Sequence, residues 1–452
     1  MQDYVTNYEE AVEYLYRIPR FHSNHSIKKI SNFLTQMGRP DRQMKIVHVA
    51  GTNGKGSTSA YLAGLLECAG LRVGLFTSPH LVDVRERIRI NGSMISKELF
   101  LEAVQYVQIL LKNAEDEYSP CYFDMIFFVG MYVFRKEQVD ILVLETGLGG
   151  RLDATNAVSD KVLTLITHIA LDHTEYLGDT LEDIAGEKAG IMRPNVPCIV
   201  GLNNEAVAHI FLKKATEIAC ECRILGKEVY RCQRVYEKSV AFSYFSSYYG
   251  TIPITLNTQA LYQRDNVCLV LAGLESLIEQ GILQKDALPP EKLQKTLYET
   301  TWAGRMEEGL PGVFLDGAHN PDGIKAFLES VQEDDCKGNR ILIFSAVSDK
   351  EHEKMLQDII GSELFAEVIV TRVNGERGVM AETLLAEAKK YADFATACDS
   401  IADLETALKV VLTKQQHFDH IYIVGSLYLT GQAKALLRNH FRGSKERKGE
   451  LV

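Results

Sequence analysis

The chain has 452 residues, too many for one compact core, so two or three domains of roughly 100–200 residues each are expected. Its 46% hydrophobic and 24% charged residues are ordinary for a globular protein, and a formal net charge of −11 argues against a protein that grips nucleic acid with a basic surface. Nine cysteines without a C-x-x-C pair point to reduced thiols; the tightest group, Cys220, Cys222 and Cys232, has no histidines at zinc-finger spacing. No apolar run approaches the ~18 residues of a membrane span, and Met1-Gln2-Asp3-Tyr4 opens no basic and apolar leader, so a cytoplasmic protein with no membrane partner is expected.

In chain order, Ile46–Val49 reads as a buried strand and Ser57–Ala69 as a helix, with Leu62, Leu65 and Leu66 at helical spacing. Arg72–Thr77 is strand-like, Phe123–Phe134 a buried helix, and Val139–Glu145, Val162–Thr167 and Cys198–Gly201 are further strands. Near-continuous Val/Ile/Leu strands between helices predict a parallel sheet covered on both faces. Val240–Leu256, rich in Ser, Tyr, Phe and Thr, predicts appended antiparallel strands, and Gln263–Gln280 a helix. The pattern loosens between Leu288 and Gly312, around Pro289-Pro290. Alternation then restarts: strands at Val313–Leu315, Arg340–Ser345, Glu367–Thr371 and His420–Val424, helices at Asp322–Val331 and Ala381–Tyr391. The expected architecture is α/β: a parallel-sheet domain with appended antiparallel strands over 1–298 and a smaller Rossmann-like domain over 299–452. The basic group Lys445-Glu446-Arg447-Lys448 reads as a solvated, frayed tail.

The strongest motif is His48-Val49-Ala50-Gly51-Thr52-Asn53-Gly54-Lys55-Gly56-Ser57: a buried strand, glycines, a lysine, then a helix. Glycines let backbone N–H groups turn toward phosphate oxygens, the helix adds the positive end of its dipole, and Lys55 adds a point charge. The string departs from strict Walker A, with Val49 at its first glycine position and Gly56 directly after the lysine, but the strand–loop–lysine–helix context is that of a phosphate loop. Read alone, Glu145 at the end of its strand serves equally as an ion-pair partner, Ser78 as a cap, and Lys188 as a surface lysine.

These strings together resemble the folylpolyglutamate synthase and dihydrofolate synthase family, within the Mur ligase superfamily. The resemblance runs through Thr77-Ser78-Pro79-His80-Leu81, Glu86–Gly92, Glu145–Asn156, Leu171–Gly178, Gly186–Ile191, Asp316–Pro321 and Gly425–Leu429, covering about residues 48–430. It implies ATP binding by Asn53, Gly54, Lys55, Gly56, Ser57, Asn266, Arg305 and Asp316, and Mg2+, in two sites, held by Ser78, Glu145, His173 and a carbamylated Lys188, with K+ as a further candidate ion. Ala303 and Met306 stand where the family has proline and phenylalanine around Gly304-Arg305. His319 and Ser426 resemble positions that meet L-glutamate, and Gly149 and Arg151 belong to the glycine loop after Glu145 that flanks the folate cleft. His80, Arg87, Phe123, Asp124 and Asp153 complete the substrate set. Asp124 remains open between pairing with a pterin edge and capping its own helix, and Asp316 between nucleotide contact and a helix cap.

The implied activity is ATP-dependent joining of glutamate to a folate or dihydropteroate through an acyl phosphate, by a monomer, with Lys55, Lys188, His173 and His319 in the catalytic set. A peptidoglycan-type Mur ligase is disfavoured, since only about 45 residues precede Ile46, too few for the nucleotide-sugar domain of those enzymes. A phosphate-loop NTPase switch is the alternative from another class; Asp316–Pro321 in a second domain argues against it.

Overall fold

The structure, a computed structural model, describes residues 4–20, 26–113, 118–236, 238–375, 377–392 and 396–449. The first sheet has eight strands: β1 Lys45–Ala50, β2 Val73–Phe76, β3 Ile88–Ile90, β4 Ser93–Met94, β5 Ile141–Glu145, β6 Lys161–Ile166, β7 Cys198–Val200 and β8 Cys222–Ile224, in the order β4-β3-β2-β5-β1-β6-β7-β8. All pairings from β2 to β8 are parallel, and β3 and β4 add antiparallel edges. Alternation along the central strands divides the core. Val47, Val49, Ile141 and Val143 face one side, against Leu62, Leu65, Leu66 and the helix Gln263–Glu279. Ile46, Leu142 and Leu144 face the other, under Phe127, Phe128 and Phe134. Each fully buried Leu or Phe here contributes about 1.5–3 kcal/mol.

The helix Lys55–Cys68 is buried nearly all round, because Gln263–Glu279 and Pro290–Glu299 cover its outer side. It ends where Gly70 takes a left-handed φ of 93° and its N–H returns to Glu67 O at 2.9 Å. The antiparallel segment expected at Val240–Leu256 is a three-stranded sheet, β11-β10-β9, of β9 Tyr230–Tyr236, β10 Ser239–Ser246 and β11 Gly250–Leu256. Within the stretch where the sequence pattern loosens, Pro289-Pro290 starts the helix Pro290–Glu299: Pro290 occupies its first turn, where a missing N–H costs nothing.

The chain crosses to the second sheet through 300–306. That sheet comprises β12 Glu307–Leu310, β13 Val313–Leu315, β14 Arg340–Phe344, β15 Glu367–Val370, β16 Ala397–Ser400 and β17 His420–Val424, ordered β12-β13-β17-β14-β15-β16 and parallel except for β12. The basic group at 445–448 lies on the helix Leu427–Gly449 rather than in a frayed tail. Among the described residues no helix is long and apolar enough to cross a membrane.

Candidate active site

The carboxyl ends of β1, β2, β5 and β6, and of β13, β14 and β17, open onto one cavity of about 760 Å³ between the two sheets. From β1 the loop Gly51–Gly54 enters it. Gly54 has φ 92°, and a Cβ there would stand 2.2 Å from Asn266 Oδ1, so both conformation and space demand glycine. No side chain caps the helix Lys55–Cys68, and its first-turn residues Lys55 and Gly56 line the cavity, so the positive end of the helix dipole lies at this wall. Lys55 Nζ curls over the loop, donating to Gly51 O at 3.1 Å and Thr52 O at 3.0 Å. Burial pushes its ammonium down, against support from Glu145 and Asp172.

Glu145, Lys188, His173 and Ser78 line the same cavity. Glu145 is 2% exposed and accepts one hydrogen bond among the described residues, from Ser78 N at 3.1 Å. Burial raises its carboxyl to about 7, with Lys55 pulling the other way. Lys188, 3% exposed, is not the surface lysine that its helix suggested. Burial and then Lys55 lower its amine to about 7, and its Nζ has no hydrogen-bond partner among the described residues. His173 is held at about 4 by burial, so its imidazole is neutral at pH 7. A buried carboxylate with one partner, a neutral imidazole and a hydroxyl suit a hard divalent ion, and an amine titrating near neutrality suits reaction with carbon dioxide. A compact His/Cys/Asp cluster occurs elsewhere, at Asp334, Cys336 and His420. There Arg340 already pairs with Asp334 at 2.7 Å and Tyr422 donates to it, which marks a structural ion pair.

The opposite wall carries Arg305, Asp316, His319 and Ser426. Asp316 is buried and accepts from Tyr262 Oη at 2.6 Å, Met306 N at 2.9 Å and Ala318 N at 2.8 Å. It does not cap the following helix; Asn320 does, accepting from Gly323 N at 2.7 Å. His319 Nδ1 lies 2.8 Å from Gly317 O.

Sequence reasoning missed the group that joins the walls. Asp172, from the first side, meets Lys350 Nζ, Asn320 Nδ2 at 3.2 Å and His319 Nε2 at 3.5 Å, all from the second. Burial raises its carboxyl, but His319, Lys350 and His173 outweigh that and hold it far below the usual range. Asn53 donates to Asn320 Oδ1 at 3.2 Å and Asp322 Oδ2 at 2.9 Å, and His168 Nε2 is 3.1 Å from Asp322 Oδ1. Asp172 stood inside a family string; Lys350, alone in an unpatterned loop after β14, carried no signal.

Other expected site residues lie outside the cavity lining. Ser57 is buried and accepts from Gln263 Nε2 at 3.2 Å; Gln263 Oε1 in turn accepts from Asn266 Nδ2 at 2.9 Å. Arg87 Nε donates to His80 Nδ1 at 2.9 Å, and its guanidinium is 5.5 Å from the Tyr122 ring centroid, which stacks on Tyr16 at 5.9 Å. Phe123 fits edge-on to Phe76 at 5.9 Å. Asp124, 1% exposed, accepts from Cys121 N at 3.1 Å and Tyr118 Oη at 3.0 Å, so the geometry is that of the helix cap. Arg151 pairs at the surface with Glu187 at 2.7 Å. Asp153 accepts from Gly147 N and Leu148 N, each at 2.8 Å, and so holds the backbone of the glycine loop, which Gly149 continues along the cavity.

A family model for the Mur ligase glutamate ligase domain matches residues 304–427. The dihydrofolate synthase/folylpolyglutamate synthase of Bacillus subtilis is 29% identical over 96% of this chain and 100% of its own. The folylpolyglutamate synthase of Lacticaseibacillus casei is 31% identical over 72% of this chain and 77% of its own. Among solved structures, Mycobacterium tuberculosis folylpolyglutamate synthase complexed with ADP matches with a TM-score of 0.86 at 25% identity, covering 96% of this chain and 99% of that one. E. coli FolC in complex with DHPP and ADP matches at 0.83 and 25%, covering 97% of this chain and 100% of that one. The chain belongs to the folylpolyglutamate synthase and dihydrofolate synthase family, whose members are ATP-dependent ligases that form C–N bonds.

Proposed function

We propose that the protein joins L-glutamate to a folate or to dihydropteroate, and that Lys55, Glu145, His173, Lys188, Arg305, Asp316, His319 and Ser426 do the work. The observation that carries this reading is the single cavity onto which both sheets open, with a phosphate loop on one wall and Asp316, His319 and Ser426 on the other. ATP lies along the loop, its phosphates on the first-turn amides and Lys55, its remaining contacts from Asn266 and Arg305. A substrate carboxylate oxygen attacks the γ-phosphorus, and the bond from that phosphorus to the β-bridging oxygen breaks, releasing ADP. The amino group of glutamate, held by His319 and Ser426, attacks the acyl phosphate carbonyl and displaces phosphate. Positioning and charge stabilisation supply most of the acceleration.

Ser78, Glu145, His173 and a carbamate on Lys188 would hold magnesium, which when bound neutralises phosphate charge. The carbamate forms when the neutral Lys188 amine adds to carbon dioxide and loses a proton, so that an anionic oxygen donor takes the place of the buried amine. Asp172 and Lys350 keep the walls together so that water is excluded during transfer. The substrate is tested by incubating the enzyme with ATP, magnesium and glutamate against dihydropteroate and tetrahydrofolate in parallel. A new amide from either acid is expected; none from either overturns the reading.

A further inference from the structure

The sequence holds one tryptophan, Trp302, in the connection that carries the chain from the first sheet to the second. Its indole lies against the first turn of the phosphate-loop helix. A Cβ built on Gly56 would stand 2.8 Å from Trp302 Nε1, 3.2 Å from Cε2 and 3.3 Å from Cζ2, so the ring fills the volume that any side chain at position 56 would need. That accounts for a second glycine directly after Lys55. Arg89 stacks its guanidinium 5.4 Å from the indole centroid and is itself tied to Glu86 O and Gly92 O, each at 3.3 Å. Further along the same helix, a Cβ on Gly64 would meet Thr300 Oγ1 at 3.0 Å. The connection therefore rests on the helix at two points.

Downstream, the same segment becomes cavity wall. Arg305, three residues after Trp302, lines the cavity and donates to Gly304 O at 2.8 Å. Gly304 O also accepts from Gly317 N at 2.8 Å, and Met306 N donates to Asp316 Oδ2 at 2.9 Å, so the segment is bonded to the end of β13. Three residues span at most about 10 Å, too short a tether to absorb movement at one end without passing it to the other.

We propose that Trp302 is a positioning residue of the ligase. Seated on Gly56, it sets Arg305 and the Asp316 end of the second sheet in register with the phosphate loop, so that filling the loop is transmitted to the connection between the two sheets. The proposal rests on the loop binding ATP.

With one tryptophan, the intact enzyme reports this contact through its own fluorescence. ATP with magnesium should change Trp302 emission along the saturation curve that calorimetry gives for ATP binding. W302A should raise the KM for ATP and lower kcat, each on the order of tenfold, because small misplacements of a positioned group are costly. The KM for the acid should stay unchanged, and W302F should recover most of both losses. G56A should resemble W302A, and G56A/W302A should be no worse than W302A, since the second substitution removes the ring that the new Cβ strikes. A merely structural role would instead lower the melting temperature without an ATP-specific KM change, and the two losses would multiply in the double variant. Either of those results, or emission indifferent to ATP in a protein that calorimetry shows to bind it, overturns the proposal and leaves the nucleotide reading standing. A wild-type protein that binds no ATP in the calorimeter overturns both.

Discussion

The two walls of the cavity are made of different atoms. On the first, the phosphate loop works largely through backbone: a left-handed Gly54, uncapped helix amides and Lys55 folded over loop carbonyls. On the second, the contributions are side chains delivered from scattered places, mostly strand ends: Arg305 before β12, Asp316 and His319 after β13, Lys350 beyond β14, Ser426 after β17. A backbone site needs its residues contiguous, because one loop must wrap one group. A side-chain site needs only that strand ends meet, so its members scatter along the chain. Asp172 ties the two kinds of wall together.

The comparison breaks first at the loop. Gly54→Ala introduces a Cβ 2.2 Å from Asn266 Oδ1, and Lys55→Met removes the loop's cation; each should lower kcat/KM for ATP about 10²–10³-fold, the usual scale for one electrostatic donor, measured by steady-state kinetics. If K55M keeps wild-type turnover, the loop is not the phosphate site.

Next in size is the tie between the walls. Lys350 and Asp172 are 7% and 8% exposed, so Asp172→Asn or Lys350→Met alone leaves a buried charge without its partner and should cost about 3–5 kcal/mol in denaturant unfolding. The double variant D172N/K350M should cost less than the sum of the singles. Strict additivity would show that the pair does not couple the walls.

Smaller again is an acid limb in stability. Burial, then Lys161 and Arg193, hold His48 well below 6.5, and burial, then Arg87, hold His80 at about 4. Between pH 6.5 and about 4 the unfolded chain binds protons that the folded chain refuses. Stability is therefore complete above pH 6.5 and declines as pH falls through that window. The melting temperature should fall on acidification, and H48Q should flatten the decline; an equally steep limb in H48Q would remove His48 from the account.

The smallest effect is expected at Arg151, whose side chain is 56% exposed beside Glu187. R151A should change stability by less than about 1 kcal/mol. Its KM for the folate-type acid separates a surface ion pair, which leaves KM alone, from a substrate contact, which raises it.

What the sequence made legible follows the same division. The parallel sheet could be read because its strands are buried on both faces and therefore continuously apolar, and the loop because its glycines and Lys55 stand together. The helix Pro290–Glu299 was not, since a Pro-Pro pair signals a break as readily as a first turn. Nor was Lys350: one lysine in Ser348-Asp349-Lys350 looks like any surface charge until β14 delivers it to Asp172. Asp153 was read as a substrate residue, whereas its oxygens hold the amides of Gly147 and Leu148, a role that only the folded loop reveals.

The account stands most directly on the fate of one oxygen. The enzyme is given ATP, magnesium, glutamate and a folate-type acid whose carboxylate carries heavy oxygen, and the released phosphate is examined by mass spectrometry. One labelled oxygen per phosphate, formed only when acid and amine are both present, is the result predicted for an acyl phosphate made in this cavity. Unlabelled phosphate, released at the same rate without acid or amine, would contradict it.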